Sequence, residues 1–284
     1  MRRRGSILVA VLLMASLLTV FVGVASDRLM VATAATHNAG EDIAADVAVR
    51  GAVEYLFARS GGRFSDLPGA ASVRYPGITV DVVATNEGAR VDLNLAAEEL
   101  IVGVFRAAGV DGRQADHHAR VIVDRRRDPK QKIDRRKPPL VDPAGPIEHV
   151  RELDRLGVIP PAHLQAVAPF VTVTSLEARV AVMVAPRPVV AALPGIDPAR
   201  VDAFLAERRN WTGRFETLMR RYGIVQDHVS KDGSKAVRLA MTVRIGTHRI
   251  RGYEVVAVAL PNDDEPYRIL SWNGNVPPTG NVGP

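Results

Sequence analysis

The first 26 residues constrain this chain more than any other segment. No ionisable side chain occurs from Ser6 to Ser26, a run made mostly of Ile, Leu, Val, Met and Ala. As a helix this run would reach about 31 Å, which matches the roughly 30 Å hydrocarbon core of a bilayer. Arginines at positions 2–4 and Asp27 on the far side place the start of the chain in the cytoplasm. The sequence therefore predicts a single membrane-spanning segment, with the bulk of the chain across the membrane.

Three interpretations of this segment stay open. It is a plain membrane anchor, a secretory signal cut near residues 23–25, or a membrane helix behind a type IV prepilin leader. Secretory signals usually have apolar cores of about 7–15 residues, shorter than this run. The junction of Gly5 and Ser6 resembles a prepilin peptidase site, where the cut falls before the apolar helix and leaves it attached.

The segment after the apolar run predicts that the helix continues. Residues 27–59 contain no proline and are rich in alanine, and an apolar stripe recurs at Ala45, Val49, Val53 and Leu56. A helix over residues 6–59 would be about 80 Å long. We expect it to end at the Ser-Gly-Gly sequence of residues 60–62.

Strand patterns occur near both ends of the remaining sequence. Residues 78–84 and 89–94 are β-branched, and the turn-rich link at 85–88 predicts that they form a hairpin. Three further runs, at 237–245, 249–260 and 267–272, predict an antiparallel meander.

The middle of the chain predicts short helices. They fall at residues 96–108, 114–127, 147–156 and 161–167, with a further pair at 188–193 and 199–209. The Leu-Pro-Gly-Ile turn at 193–196 makes this last pair similar to a helix-hairpin-helix motif. Each helix is too short to bury a core alone.

Composition excludes several classes of protein. The chain of 284 residues is 47% hydrophobic and 24% charged, which excludes global disorder. Cysteine is absent, so disulfide scaffolds and thiolate chemistry are excluded. The formal net charge is +6, and residues 113–137 carry ten Lys or Arg against four Asp, an excess of six. The basic character is therefore local.

Six features occur in an order that resembles one protein family. They are the Gly5/Ser6 leader, Val-Asp-Leu-Asn at 91–94, Ile-Val-Asp at 122–124 before a charged loop, Ala-Pro-Phe-Val-Thr-Val at 168–173, the turn at 193–196, and Arg-Ile-Leu-Ser-Trp at 268–272. Together they resemble the minor pseudopilin K family of type II secretion systems, over nearly the whole chain. The basic loop after Asp124 and the serine at position 6 depart from the usual family pattern.

The resemblance implies an α+β, pilin-like fold with a long N-terminal helix and an antiparallel sheet. An all-helical domain of the helix-hairpin-helix or SAM-like type would interrupt this fold. The expected divisions are a leader at 1–5, a transmembrane part at 6–26, a periplasmic helix and first strands at 27–91, an inserted helical domain at 92–173, and the rest of the pilin-like domain at 174–284, with the helical hairpin near 188–209.

The resemblance also implies a function and partners. A protein of this kind caps the pseudopilus, assembles with I- and J-type pseudopilins, and supports export of folded proteins across the outer membrane. Prepilin peptidase and the inner-membrane secretion platform are implied as further partners. The implied location is the inner membrane, single-pass, with the bulk of the chain periplasmic and the new N-terminus at Ser6 methylated.

The fifth residue after the predicted cut favours the K type. Most pilins and pseudopilins carry glutamate there, whereas this chain has Ala10. A carboxylate inside an apolar helix bundle costs several kcal/mol unless it meets a cation. A tip subunit lacks the neighbour whose N-terminus would supply that cation, so it can dispense with the acid.

No convergent catalytic motif occurs, so we expect neither an enzyme nor an obligatory cofactor. His117 and His118 are adjacent on a predicted helix, cannot share a metal, and are interpreted as surface histidines. A candidate calcium site consists of oxygen-bearing side chains in one predicted turn, although an acidic turn between strands needs no metal: Asn262, Asp263, Asp264 and Glu265.

A different function remains as the alternative. The basic run at 125–137 and the helical hairpin could bind nucleic-acid phosphates, as in a membrane-anchored, competence-like DNA receptor. About sixty residues separate these two features, and the long helix and the meander have no place in that account. We therefore interpret the basic run as a solvated loop and expect no nucleic acid.

Overall fold

The structure, a computed structural model, describes residues 14, 40–64, 67, 69–128, 140–142, 144–247, 249–260 and 265–278. Its first continuous element is helix α1, over residues 40–59. Gly61 and Gly62 follow with φ of 64° and 81°, a left-handed conformation that glycine adopts without strain. The amide of Gly62 donates to the carbonyl of Phe57 at 3.1 Å, which completes the helix end. The predicted end of the helix is thereby confirmed, whereas its predicted part before residue 40 lies outside the continuous description.

Five antiparallel strands form the main sheet: β1 Ala70–Tyr75, β2 Ile78–Asn86, β7 Ala236–Ile245, β8 Arg249–Ala259 and β9 Tyr267–Val276. They lie side by side in the order β1-β2-β7-β8-β9. The predicted meander is confirmed as β7, β8 and β9. Together with the helices, this sheet confirms the predicted α+β class.

The predicted hairpin of residues 78–84 and 89–94 is wrong. Strand β2 pairs with β1 on one side and with β7 on the other, through partners such as Val73↔Val80 and Val80↔Val243. The link at 85–88 does not reverse the chain within the sheet. Asn86 accepts a bond from the amide of Gly88 and donates to the carbonyl of Ser234, 148 positions away, so the chain leaves the sheet here.

One apolar core lies between α1 and the sheet. The predicted stripe of α1, at Ala45, Val49, Val53 and Leu56, is fully buried there. The sheet contributes alternate residues of its strands, among them Val80, Leu239 and Val255, which are also fully buried. The buried residues of α1 follow the 3.6-residue period of a helix, and those of the strands follow the two-residue period of a sheet, so one face of each element contributes to this core.

The segment between β2 and β7 holds the remaining helices of the described structure. They are α2 Glu98–Ala107, α3 Gly112–Arg125, α4 Glu152–Arg155, α5 Pro161–Val167, α6 Arg187–Ala191, α7 Val201–Arg208 and α8 Phe215–Tyr222. Two short parallel strand pairs accompany them: β3 Val91–Asp92 with β4 Val171–Thr172, and β5 Val180–Ala181 with β6 Val229–Ser230. These helices share one continuous core that runs from Val91 to Val229, so residues on both sides of the predicted boundary at 173 contribute to it.

Most of the predicted short helices are found, with two differences. The helix expected at 147–156 is reduced to α4. The amide of Ile147 donates to the side chain of Asn94, so the residues before α4 are held in a non-helical conformation. The other difference is α8, which was not predicted. Its end is marked by Gly223 at φ 72°, a C-terminal cap of the usual kind.

Candidate functional site

Helix α1 carries a second apolar face, which the sheet does not cover. Ile43, Val47 and Tyr55 are 65%, 63% and 46% exposed. Their spacing of four and eight residues places them on one side of the helix. These apolar side chains lie beside the exposed Glu54 on the side of the helix turned away from the core. Such an exposed apolar set is suited to contact with a second protein, because solvated helices normally present polar residues on that side.

Two side chains of the chain itself border this exposed face, which we call the outer face of α1. Gly51 lies between Val47 and Tyr55, and Tyr75 of β1 packs against it, since a Cβ atom there would be 2.9 Å from the hydroxyl of Tyr75. Arg59 donates to the hydroxyl of Tyr55 at 2.9 Å, which fixes the aromatic ring at one end of the face. The outer face therefore offers two aliphatic side chains and an oriented tyrosine.

The start of α1 is held on strand β8 by ionic contacts. Arg249 reaches Glu41 at 2.6 Å and Asp42 at 2.7 Å, and Arg251 reaches Asp42 at 2.6 Å. One turn later the hydroxyl of Tyr253 donates to Asp46 at 2.7 Å. Burial and the bond to Asp46 both raise the pKa of Tyr253, so the phenol keeps its proton and the bond. The start of α1 is therefore attached to β8 by ion pairs and a hydrogen bond.

A buried ion pair joins the sheet to the helical segment. Glu87, fully buried, accepts from Arg238 of β7 at 2.6 Å and from the hydroxyls of Thr172 and Thr174. Arg238 also reaches Glu254 of β8 at 2.6 Å. Burial opposes ionisation of Glu87, but the hydrogen bond and charge of Arg238 outweigh it, so the pKa of Glu87 is lowered. The carboxylate is therefore charged at neutral pH and ties β4 to β7.

The predicted processing and membrane residues lie outside the described residues. These are Gly5, Ser6, Ala10 and Ser26, and their assignments remain predictions. Of the helices in the described part of the chain, none has the length and apolar character needed to cross a membrane.

The candidate calcium residues are described only in part. Asn262, Asp263 and Asp264 lie outside the described residues, while Glu265 is exposed and lies 3.6 Å from Arg268. In the described ranges, no cluster of three or more His, Asp or Glu has a geometry suited to a metal ion. The calcium assignment therefore remains a prediction.

The interpretation of both neighbouring histidines as surface residues is wrong for one of them. His117 is exposed, but His118 is buried and its Nε2 lies 2.9 Å from Nδ1 of His163 on α5. Adjacent positions on a helix point in different directions, and α3 packs in the helical core, so one of the two must turn inward. The apolar period of α3 could have shown this, because Ala115, Ala119 and Ile122 share the buried side.

The described part of the basic run is not a solvated loop. Arg125 donates to the carbonyl of Gly145 at 2.9 Å, Arg126 to the carbonyl of Leu93 at 2.6 Å, and Arg127 lies 3.1 Å from Asp124. The interpretation as solvated is therefore wrong for these three arginines. Two of them supply donors to backbone carbonyls and the third pairs with a carboxylate, which their long guanidinium side chains can reach. Residues 129–139 lie outside the described residues.

The turn of the helical hairpin packs against residues 223–225, which follow α8. Gly195 has φ of 88°, and a Cβ atom there would lie 2.1 Å from the carbonyl oxygen of Gly223. The amide of Val225 donates to the carbonyl of Pro194 at 3.2 Å. The turn of the hairpin thus makes an internal contact with the residues that follow α8.

These elements define a class of fold: a helix laid on one face of an antiparallel sheet, with a helical segment entering between two neighbouring strands. No family model and no curated protein matches the sequence. Among solved structures, the chain is similar to GspK in the crystal structure of the GspK-GspI-GspJ complex from the enterotoxigenic Escherichia coli type 2 secretion system. The match has a TM-score of 0.60 at 14% identity, and covers 85% of this chain and 99% of that chain.

This likeness shows that the chain has a GspK-like fold. The resemblance predicted from the order of the sequence motifs is confirmed at the level of the fold. The crystal structure is that of a complex in which the similar protein is assembled with GspI and GspJ.

Proposed function

We propose that this chain is a K-type minor pseudopilin of a type II secretion system. The observation that carries the proposal is the outer face of α1, which is apolar and exposed in a chain with a GspK-like fold. The similar protein is found in a complex with GspI and GspJ. In our proposal the outer face of α1 packs against the long helices of I- and J-type pseudopilins.

The shape of the chain supports a place at the tip of the pseudopilus. The described residues between β2 and β7 form the helical segment, and their core contains more buried apolar residues than the core between α1 and the sheet. Such a bulky segment hinders the lateral packing of identical subunits in a shaft. Ala10, in place of the usual acid, fits a subunit with no neighbour above it.

The proposal places the chain in the inner membrane before assembly. Residues 6–26 would span the bilayer once, with the described domains in the periplasm. Prepilin peptidase would cut between Gly5 and Ser6 and the new N-terminus would be methylated. The secretion platform would then move the helix out of the bilayer and into the filament.

The role is structural and not catalytic in this proposal. The ion pairs of Glu41 and Asp42 with Arg249, and the hydrogen bond that Asp46 accepts from Tyr253, join the helix that enters the filament to the domain that meets the exported protein. The tip would thereby move with the filament and support export of folded proteins across the outer membrane.

DNA binding is the less favoured alternative. Arg125, Arg126 and Arg127 already bind acceptors of the chain itself, and the hairpin turn contacts the Gly223 segment. A phosphate would have to replace these internal contacts, which have good geometry.

Mass spectrometry of the full chain extracted from membranes tests the proposal. We expect a mature species that begins at a methylated Ser6 and that copurifies with I- and J-type pseudopilins. A species that begins near Ser26, or an intact Met1 start without copurifying pseudopilins, would contradict it. Tight, salt-dependent binding of duplex DNA would support the alternative instead.

A further inference from the structure

A pair of histidines joins two helices of the helical segment. Nε2 of His118 on α3 lies 2.9 Å from Nδ1 of His163 on α5, and the ring centroids are 5.2 Å apart. His118 is only 3% exposed and packs against Phe105 of α2 with the two rings tilted, whereas His163 is half-buried. The contact therefore brings a titratable pair into the core that α2, α3 and α5 share.

The hydrogen bond between the two rings needs one proton between the facing nitrogens, Nε2 of His118 and Nδ1 of His163. In the part of the chain that the structure describes, Nδ1 of His118 is buried and has no hydrogen-bond partner. A buried N–H without an acceptor is costly, so the stable tautomer of His118 carries its proton on Nε2 and donates it to His163. Protonation of both rings would set two N–H groups against each other and leave a buried donor unpaired.

The surroundings of the pair oppose added positive charge. His163 on α5 faces His118. His117 is next to His118 on α3, and the centroids of their rings are 5.9 Å apart. The ring of Phe105 on α2 packs against His118. The ion pair of Arg106 with Asp116 lies on the exposed side of the contact between α2 and α3. Burial, followed by the charges of His163 and His117, lowers the pKa of His118 to about 4.

We propose that His118 and His163 form an acid-sensitive latch, which holds α5 on α3 while both rings are neutral and releases α5 when the pair takes up protons. Release would uncover the apolar side of α5, at Leu164 and Val167, which is buried in the closed state. The latch does not rest on the proposed function, since it involves residues of this chain alone.

The direction of the pH effect follows from the two states of His118. Once α5 is released, His118 titrates near its ordinary pKa of about 6.5, whereas in the closed state its pKa is about 4. The latch is therefore at full strength above pH of about 6.5, and weakens as the pH falls toward the closed-state value. Between pH of about 7.5 and 5 the opening of α5 should rise roughly 10- to 30-fold.

Hydrogen exchange read by mass spectrometry tests the latch on the full chain in detergent micelles. After correction for intrinsic exchange rates, we expect faster opening of α5 at pH of about 5, with α7 unchanged as the internal reference. His118→Gln should abolish the pH response, because an amide can donate to or accept from His163 in either state. His117→Gln, at the exposed neighbour, should retain most of it, because the charge of His117 is the smallest of the three causes that lower the pKa of His118.

Two results would overturn the latch: equal protection of α5 at both pH values, or an undiminished pH response in His118→Gln. A histidine NMR titration of the unmodified chain gives a second measurement in case the variant does not fold. His118 should remain neutral down to pH of about 5 while α5 is closed. Titration near its ordinary pKa with α5 still protected would also overturn the proposal.

Discussion

Glu87 and Arg238 are 151 positions apart, and their side chains meet at 2.6 Å inside the protein. Glu87 lies directly after β2, where the chain leaves the sheet, and Arg238 lies in β7, where it has returned. Their contact therefore closes the base of the helical segment. Because Glu87 is fully buried, this junction depends on both charges being present.

Loss of the cation at this junction should be strongly destabilising. Arg238→Met removes the cation that is hydrogen-bonded to the buried carboxylate of Glu87 and leaves only the more distant Arg90, at 4.0 Å, so we expect the free energy of unfolding to fall by about 3–5 kcal/mol. The matched control is Arg244→Met on the same strand, whose ion pair with Asp81 is exposed and should contribute less than about 1 kcal/mol. Urea denaturation measures both. Equal effects of the two variants would show that Glu87 does not need Arg238.

The pH dependence of the same variant should have a defined sign. The lowered pKa of Glu87 means that its stabilising contribution is complete above the ordinary carboxyl pKa of about 4.3 and is lost as the pH falls through the lowered value. Without Arg238, Arg90 and the hydroxyl of Thr172 still favour the charged form of Glu87, but burial opposes them and shifts the pKa of Glu87 toward the neutral form. The stability difference between the unmodified chain and Arg238→Met should therefore shrink from pH 7 to about 4. A constant difference in urea midpoints over this range would contradict the prediction.

Gly103 on α2 tests the packing of the helical core. A Cβ atom there would lie 2.0 Å from the carbonyl oxygen of Ala192, just after α6, so α2 reaches this backbone only because the side chain is absent. Gly103→Ala should lower the free energy of unfolding by about 1–3 kcal/mol, although alanine favours helix. Gly112→Ala on α3 is the control, because its nearest neighbour would be 3.8 Å away. The interpretation fails if thermal melts place both variants at or above the unmodified chain.

Arg249 should hold the start of α1 against the sheet. Arg249→Ala removes contacts to both Glu41 and Asp42, so amide exchange should rise in the first turns of α1 with little change near Leu56. Arg268→Ala, at the exposed pair with Glu265, is the control and should leave α1 unchanged. Hydrogen exchange measured by mass spectrometry distinguishes the two. Unaltered protection of the start of α1 in Arg249→Ala would show that the apolar stripe and the contacts of Arg251 and Tyr253 hold it without Arg249.

The elements that depend on local periodicity could be predicted from the sequence. The stripe of Ala45, Val49, Val53 and Leu56 follows the helical period and is buried as expected. The meander is predicted by its β-branched runs and by turn residues between them. In both cases the signal lies within a short stretch of chain.

The elements that depend on distant contacts could not be predicted. Asn86 ends β2 because its side chain binds Ser234, and no local pattern around residues 85–88 contains that information. The inward turn of His118 likewise depends on His163 of α5. The outer face of α1 could have been found, since Ile43, Val47 and Tyr55 repeat at helical spacing beside the buried stripe.

The contact between the outer face of α1 and partner helices is the central claim, and copurification of a charged variant tests it most directly. Ile43→Glu would bury an unpaired carboxylate in that contact, at a cost of several kcal/mol. Ile250→Glu makes the same change at a similarly exposed residue on the opposite face of the sheet. We predict that recovery of I- and J-type pseudopilins with Ile43→Glu falls about tenfold or more, while Ile250→Glu recovers them as the unmodified chain does. Equal recovery with both variants would contradict the account.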